Sequence, residues 1–356
     1  MKIMTIYGTR PELIRLSRII PKLDSLCEHT LVHTGQNFDY NLHEQFFKDL
    51  DLRLPNASIN CNVGSFGQEL ASMLPEIEIL LNTVKPDKIL ILGDTNSALC
   101  SIIARRFNIP VYHMEAGNRC FDMTVPEEAN RHIIDAMSTI NMPYTNLSKE
   151  NLIKEGHAKN TIYVTGNPIN EVLQYYDDKV NNDVTRFGLI PKEYFLATFH
   201  RAENVDNEIK LNDIICSLER LVEVYNLPVI CSVHPKTLDR ITKFGITVSS
   251  SIFLCKPFGF LDFIALEKSA KCVISDSGTV PEECAILGVP SIIIRNVTER
   301  PELLQCGSTL LAGNAVYSTE LAVKCATSSI CDWDIPEEYK AENVSDIVCK
   351  ILLGVV

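Results

Sequence analysis

Short apolar runs alternate along this chain with longer segments of helical period. Lys2–Tyr7 reads as a buried strand. Residues 11–23 follow as a helix, with Leu13, Ile14, Leu16, Ile20 and Leu23 near one face and Pro11 in the first turn. The same alternation continues with a strand at 30–33, a helix at Phe66–Val84 and a strand at Lys88–Leu92. A helix at 97–107, a strand at 110–114, a helix at 127–137 and a strand at 161–164 complete a first half. The pattern then restarts. Strands are expected at 194–199, 228–233, 251–254, 271–274 and 291–294, with helices at 208–224, 260–270 and Val280–Leu287 between them. A last helix, 341–353, has no strand after it. Repeated strand–helix units of this kind build a parallel sheet covered on both faces, so the fold class is α/β. A polar stretch at 166–191 reads as the hinge between the halves.

Length agrees with two domains: 356 residues is ample for a core that needs no disulfide or metal. The net charge of −12 sharpens the picture. An acidic chain gains nothing from a phosphate-rich polymer through its overall field, so a nucleic-acid partner is not expected. Any phosphate site must be local, built from a few placed cations and backbone N–H groups. The 13 Cys are odd in number, and their spacing suits neither a C-x-x-C pair nor a zinc site. They read as buried thiols in a reducing, cytoplasmic setting. The first apolar run is too short for a signal peptide, and no run is long enough to span a membrane.

Polar residues cluster just after the strands. Arg10, Asp94, Glu115, His200, His234 and Ser277 all do so. In open α/β sheets ligands bind outside the carboxyl ends of the strands. Two such sheets facing each other would form a cleft. The first strand leads into Gly8-Thr9-Arg10-Pro11-Glu12, which is neither a G-x-G-x-x-G nor a P-loop sequence, so an NAD enzyme and a P-loop NTPase are disfavoured. Ser277-Gly278-Thr279 before a helix is either a phosphate cradle or a plain helix cap. Asp94 could likewise be a turn residue, Glu115 a solvated loop residue, and Glu127 and Glu128 a helix start. Together with Arg10, Arg119 and Arg131 they have the composition of an acid/base site with an anion clamp.

These motifs resemble those of the non-hydrolysing UDP-N-acetylglucosamine 2-epimerase family. The matching stretches are Gly8-Thr9-Arg10-Pro11-Glu12, Gly93-Asp94-Thr95, Glu115-Ala116-Gly117, Pro126-Glu127-Glu128-Ala129-Asn130-Arg131 and Thr165-Gly166-Asn167. They continue in family order with His200-Arg201-Ala202-Glu203-Asn204, Ser275-Asp276-Ser277-Gly278, Glu282-Glu283 and Thr298-Glu299-Arg300-Pro301-Glu302. The resemblance implies two Rossmann-like domains in the glycosyltransferase-B arrangement, with the active site in the interdomain cleft. Residues 1–168 plus the C-terminal 338–356 would form the first domain and 169–337 the second.

It also implies roles. Asp94, Glu115 and Glu127 would do acid/base work, and His200, with Arg10, Ser277 and Gly278, would stabilise the diphosphate. Arg15, Arg131 and Thr279 would make further phosphate or sugar contacts, and Glu283 would accept from the uridine ribose. Phe258 is a candidate for the uracil pocket or for the core, and His234 for the site or for a structural bond. Neither metal nor redox cofactor is expected. The partner would be a UDP-activated 2-acetamido sugar, and relatives are commonly homodimers.

Within the family the sequence is similar to a subgroup acting on UDP-2-acetamido-2,6-dideoxy-L-hexoses. The stretch 32–40 (Val-His-Thr-Gly-Gln-Asn-Phe-Asp-Tyr), Asn118 and Met123-Thr124-Val125-Pro126 carry that likeness. Alternatives are a UDP-GlcNAc/UDP-ManNAc 2-epimerase, a glycosyltransferase-B transferase and a UDP-sugar-binding sensor.

Overall fold

In a computed structural model of the chain, residues 1–35, 40–59, 61, 64–313, 315–328 and 331–354 are described; residues 36–39 of the motif quoted above lie outside them. The chain divides into two compact units, Met1–Tyr175 with Glu337–Val356, and Tyr176–Pro336.

Unit 1 is built on six parallel strands: β1 (Lys2–Tyr7), β2 (Glu28–His33), β3 (Ala57–Ser58), β4 (Lys88–Leu92), β5 (Val111–Met114) and β6 (Ile140–Met142). Their order across the sheet is β3-β2-β1-β4-β5-β6. The chain therefore builds outward from β1 to β3, then crosses back to add β4 on the other side. The crossing uses the helix Phe66–Val84, opened by a capping box between Ser65 and Gln68. Its Met73, Ile77 and Leu81 pack against Met4, Ile6, Ile89 and Ile91 of the central strands. Each such fully buried side chain contributes about 1.5–3 kcal/mol.

Unit 2 repeats the plan with β7 (Phe195–Phe199), β8 (Val229–Val233), β9 (Ile252–Cys255), β10 (Cys272–Ser275), β11 (Ser291–Ile293) and β12 (Thr309–Leu311). Their order is β12-β11-β10-β7-β8-β9, and all their pairings are parallel. Counted from the first strand of each unit, both sheets run 3-2-1-4-5-6. That is the order of a Rossmann-like, doubly wound sheet.

Several expectations are corrected. The helix expected at 11–23 is two helices, Arg10–Leu16 and Ile19–Leu26. Pro21 has no N–H for the carbonyl of residue 17 and its ring would strike that group, so the chain must restart. The strand expected at 161–164 is reduced to an isolated bridge between Asn141 and Ile162. The stretch 166–191 contains the helix Ile169–Tyr176, whose Ile169, Val172, Leu173 and Tyr176 are buried. No disulfide joins the thiols, yet Cys325 and Cys331 are exposed rather than buried. No helix among the described residues is long and apolar enough to cross a membrane.

The C-terminal segment belongs to unit 1. Its helix, Val344–Leu353, packs against Ile19–Leu26. Lys88 Nζ donates to the carbonyls of Leu352 and Gly354, both at 2.7 Å, closing the helix end beside β4. Upstream, the Asn167 N–H donates to the Glu338 carbonyl at 2.9 Å. Gly166 makes this closeness possible. Its φ is +84°, and a Cβ there would stand 2.7 Å from the Ala341 Cβ. Gly166→Ala should therefore cost about 2 kcal/mol or more and loosen the returning segment. Urea unfolding and limited proteolysis at 337–344 would check both expectations.

Candidate active site

Between β1 and β4 the connections leave in opposite directions, so the loops after these strands open a crevice at the carboxyl edge of unit 1. Asp94 lies in the loop after β4. Its Oδ2 accepts from Arg131 Nε at 2.8 Å. Arg131, on the helix Pro126–Met137, also pairs through Nη1 with the buried Glu128. The guanidinium thus bridges two carboxylates. Asn130 Nδ2 donates to the Asp94 carbonyl at 3.0 Å, so one helix positions the Asp94 loop at two points.

Glu115 follows β5 with φ at +69°, a left-handed conformation that costs a non-glycine residue roughly 1–2 kcal/mol. The turn brings its carboxylate near three groups. Arg15 Nη1 is 3.8 Å from Oε2, and Tyr144 Oη donates to the same oxygen at 3.4 Å. Asn118 Nδ2 donates to Oε1 at 3.4 Å, while Asn118 Oδ1 accepts from Ser148 Oγ at 2.8 Å. Arg15 is buried and faces the Glu115 carboxylate. Arg10 lies 5.4 Å from the centre of the Phe46 ring. Glu127 sits in the first turn of Pro126–Met137, beside Glu128.

Buried acids hold these loops together, a role that none of the motifs announces. Asp135 accepts from His113 Nδ1 at 2.9 Å, from the Gly117 N–H at 3.1 Å and from Arg119 Nη2 at 2.7 Å. His113 Nε2 reaches the Gly93 carbonyl at 2.9 Å, so Asp135 links the β4 and β5 loops. Arg119 is therefore corrected. Its guanidinium is buried between Asp135 and Glu155 and forms no part of an anion clamp. Glu128 accepts the N–H groups of Cys120 at 3.1 Å and Phe121 at 2.9 Å. Burial raises its carboxyl, but those amides and Arg131 outweigh this and hold it below the usual range.

In unit 2 the corresponding crevice lies between β7 and β10. Asp276 is fully buried and organises it, accepting the N–H of His200 at 3.0 Å, the N–H of Arg201 at 3.0 Å and Asn204 Nδ2 at 2.9 Å. The His200 side chain remains half exposed, with Nδ1 3.7 Å from Asp276. The Ser277 N–H donates to Ser275 Oγ at 3.0 Å and the Thr279 N–H to Ser277 Oγ at 3.2 Å. Two of the three amides in the expected cradle are thus already used. Gly278 is the residue left open, at the start of the helix Val280–Leu287. A Cβ there would stand 2.4 Å from Glu299 Oε1, so any larger residue would have to displace that carboxylate. Glu299 is in turn held by Arg295 at 2.9 Å and Arg201 at 3.4 Å.

His234 Nδ1 accepts the Lys236 N–H at 3.2 Å and caps the helix Pro235–Lys243. Phe258 packs edge-on against Phe187, with ring centres 5.7 Å apart, at the margin of the unit 2 core. Glu283 is buried in the first turn of Val280–Leu287. No cluster of three or more His, Cys, Asp or Glu side chains suited to a metal occurs among the described residues.

Two doubly wound units with polar loops at their switch points define a Rossmann-like protein of the nucleotide-binding class. Comparison with known proteins narrows this. Residues 22–353 match the family model described as UDP-N-acetylglucosamine 2-epimerase. The UDP-N-acetylglucosamine 2-epimerase of Methanocaldococcus jannaschii is 38% identical over 347 residues, covering 94% of this chain and 95% of that one. The UDP-2,3-diacetamido-2,3-dideoxy-D-glucuronate 2-epimerase of Pseudomonas aeruginosa is 34% identical, covering 93% and 92%. The crystal structure of the Methanocaldococcus jannaschii enzyme, in complex with UDP-GlcNAc and UDP, superposes with a TM-score of 0.94, at 36% identity and 99% coverage of both chains. The chain belongs to the UDP-N-acetylglucosamine 2-epimerase family. It is an isomerase of the UDP-sugar 2-epimerase type.

One group beneath the unit 1 site titrates in the neutral range. Burial pushes the Glu12 carboxyl up to about 7, against the pull of the Gly8 N–H at 2.7 Å and the Thr9 hydroxyl at 3.0 Å. A folded-state value above the unfolded 4.5 means that its stabilisation is complete below 4.5 and lost as pH rises through 7. Relative to Glu12→Gln, the wild type should therefore lose about 2–3 kcal/mol from about pH 5 to about pH 8. Urea unfolding of both proteins across that range would measure it.

Proposed function

We propose that this enzyme inverts C2 of a UDP-activated 2-acetamido-2,6-dideoxy-L-hexose, interconverting the L-rhamno and L-quinovo or the pneumosamine and fucosamine configurations. The observation that carries the epimerase chemistry is the pair of carboxylates, Asp94 and Glu115, each beside a buried arginine at one switch point. The C2–H bond has no neighbouring carbonyl to activate it. Loss of UDP from C1 supplies the driving force instead. A carboxylate takes the C2 proton, the C1–O bond breaks toward the diphosphate, and a C1=C2 glycal results. Re-addition of UDP at C1, with a proton delivered to the other face of C2, gives the epimer.

In this reading Asp94, Glu115 and Glu127 move the protons, and Arg15 fixes Glu115. Arg131 orients Asp94 rather than binding phosphate. Arg10, His200, Ser277, Gly278 and Thr279 meet the diphosphate, where fixed donors stabilise growing negative charge. Glu283 accepts from the ribose hydroxyls. The L-sugar assignment rests on Asn118, whose amide contacts Glu115 directly, and on the short Met123–Pro126 run. UDP-GlcNAc/UDP-ManNAc is the second reading, favoured by the names of the Methanocaldococcus jannaschii relative and of its solved complex. Cytoplasmic placement and a homodimer complete the proposal.

Asp94→Asn and Glu115→Gln should each lower kcat at least about a hundredfold while leaving the circular dichroism unchanged. Full activity in both would overturn the carboxylate roles. Product formed in heavy water should carry deuterium at C2, and complete retention of hydrogen would exclude solvent exchange by this route. An NMR panel of UDP-L-hexosamines and UDP-GlcNAc, each incubated alone, decides the sugar. Turnover of UDP-GlcNAc alone would replace the first reading by the second.

A further inference from the structure

The helices Phe260–Ser269 and Val280–Leu287 pack on each other in unit 2, and each brings one glutamate into the same buried place. Glu267 is fully buried and Glu283 nearly so. Their carboxyl groups lie within hydrogen-bonding reach of each other. A carboxylate only accepts, so two carboxyl groups can bond only if one keeps a proton. Neither Glu267 oxygen receives an N–H or O–H from any other group. Helix dipoles decide which partner stays neutral. Glu283 is in the first turn of its helix, where negative charge is favoured, and Glu267 is near the end of its own, where it is disfavoured. Burial, the Glu283 charge and the shared bond all hold the Glu267 carboxyl well above the usual range. Two further ionisable groups feel this pair, the Cys284 thiol and the Tyr194 hydroxyl. Burial pushes both up, so both are neutral. Tyr194 Oη is occupied in donating to the Leu266 carbonyl at 2.5 Å.

We propose that Glu267 is a positioning residue for nucleotide binding: as a neutral acid it donates its proton to Glu283 and fixes that carboxylate for the ribose hydroxyls. The proposal rests on the reading of Glu283 as the ribose contact. A single shared proton leaves the pair with one negative charge.

The test uses the full chain, with UDP and 2′-deoxy-UDP as the probes in calorimetry. Glu267→Gln keeps a donor and should bind UDP within about twofold of wild type. Glu267→Leu removes the donor and should weaken UDP about tenfold or more. It should also bring the two affinities closer together, whereas a merely structural loss would weaken both probes equally. At neutral pH, infrared difference spectra should show the carbonyl stretch of a protonated carboxyl in wild type and its loss in Glu267→Gln. Leu and wild type binding alike, Gln binding as weakly as Leu, or an unchanged infrared band would each overturn the proposal. If wild type does not distinguish UDP from 2′-deoxy-UDP, the ribose reading of Glu283 falls, and the proposal with it. If it does distinguish them but the infrared band is unchanged, the shared proton alone is wrong.

Discussion

The parting of chain connections at the middle of each sheet governs what this molecule can do. Because β1 is followed outward by β2 and β3, and β4 is added on the other side, the loops after β1 and β4 cannot cover each other. Unit 2 repeats the constraint with β7 and β10. Backbone N–H groups, short side chains and helix starts therefore remain exposed to a ligand at these two edges.

Buried acids keep the two edges in shape. Asp135 gathers a histidine of β5 with an arginine and a backbone amide of the loop that follows it in unit 1, and Asp276 gathers two amides and an asparagine in unit 2. A buried carboxylate left without such partners would cost several kcal/mol, so each acid is tolerated only while its loops stay in place. The acids and the loops consequently specify each other. Asp94 and Glu115 are set by the same logic one layer further out, since each leans on an arginine that is itself buried.

Much of this was legible in the residues. Strands such as Lys2–Tyr7 and Lys88–Leu92 declare themselves because burial on both faces makes them mostly apolar. The strands Ala57–Ser58, Ile140–Met142 and Thr309–Leu311 are too short to carry such a signal. Site candidates were found because they follow strands. The supporting roles of Glu12 and Glu128 were not, since both stand in first turns, where an acid is expected for the helix dipole alone. Arg119 misled for the converse reason. A charge beside a motif looks available, and only the fold reveals that Asp135 and Glu155 have taken it.

The return of the chain to unit 1 has a bearing on how the protein is made. Unit 2 is continuous in sequence, whereas unit 1 needs both the first 175 residues and the last 20. During synthesis the earlier-made portion must wait, with the surface that receives Val344–Leu353 uncovered, until that helix has been made. The second unit, though made later, has all its strands before the first has its closing helix. Nascent unit 1 thus spends the whole translation of residues 176–336 as the vulnerable partner, the one for which a chaperone's protection matters.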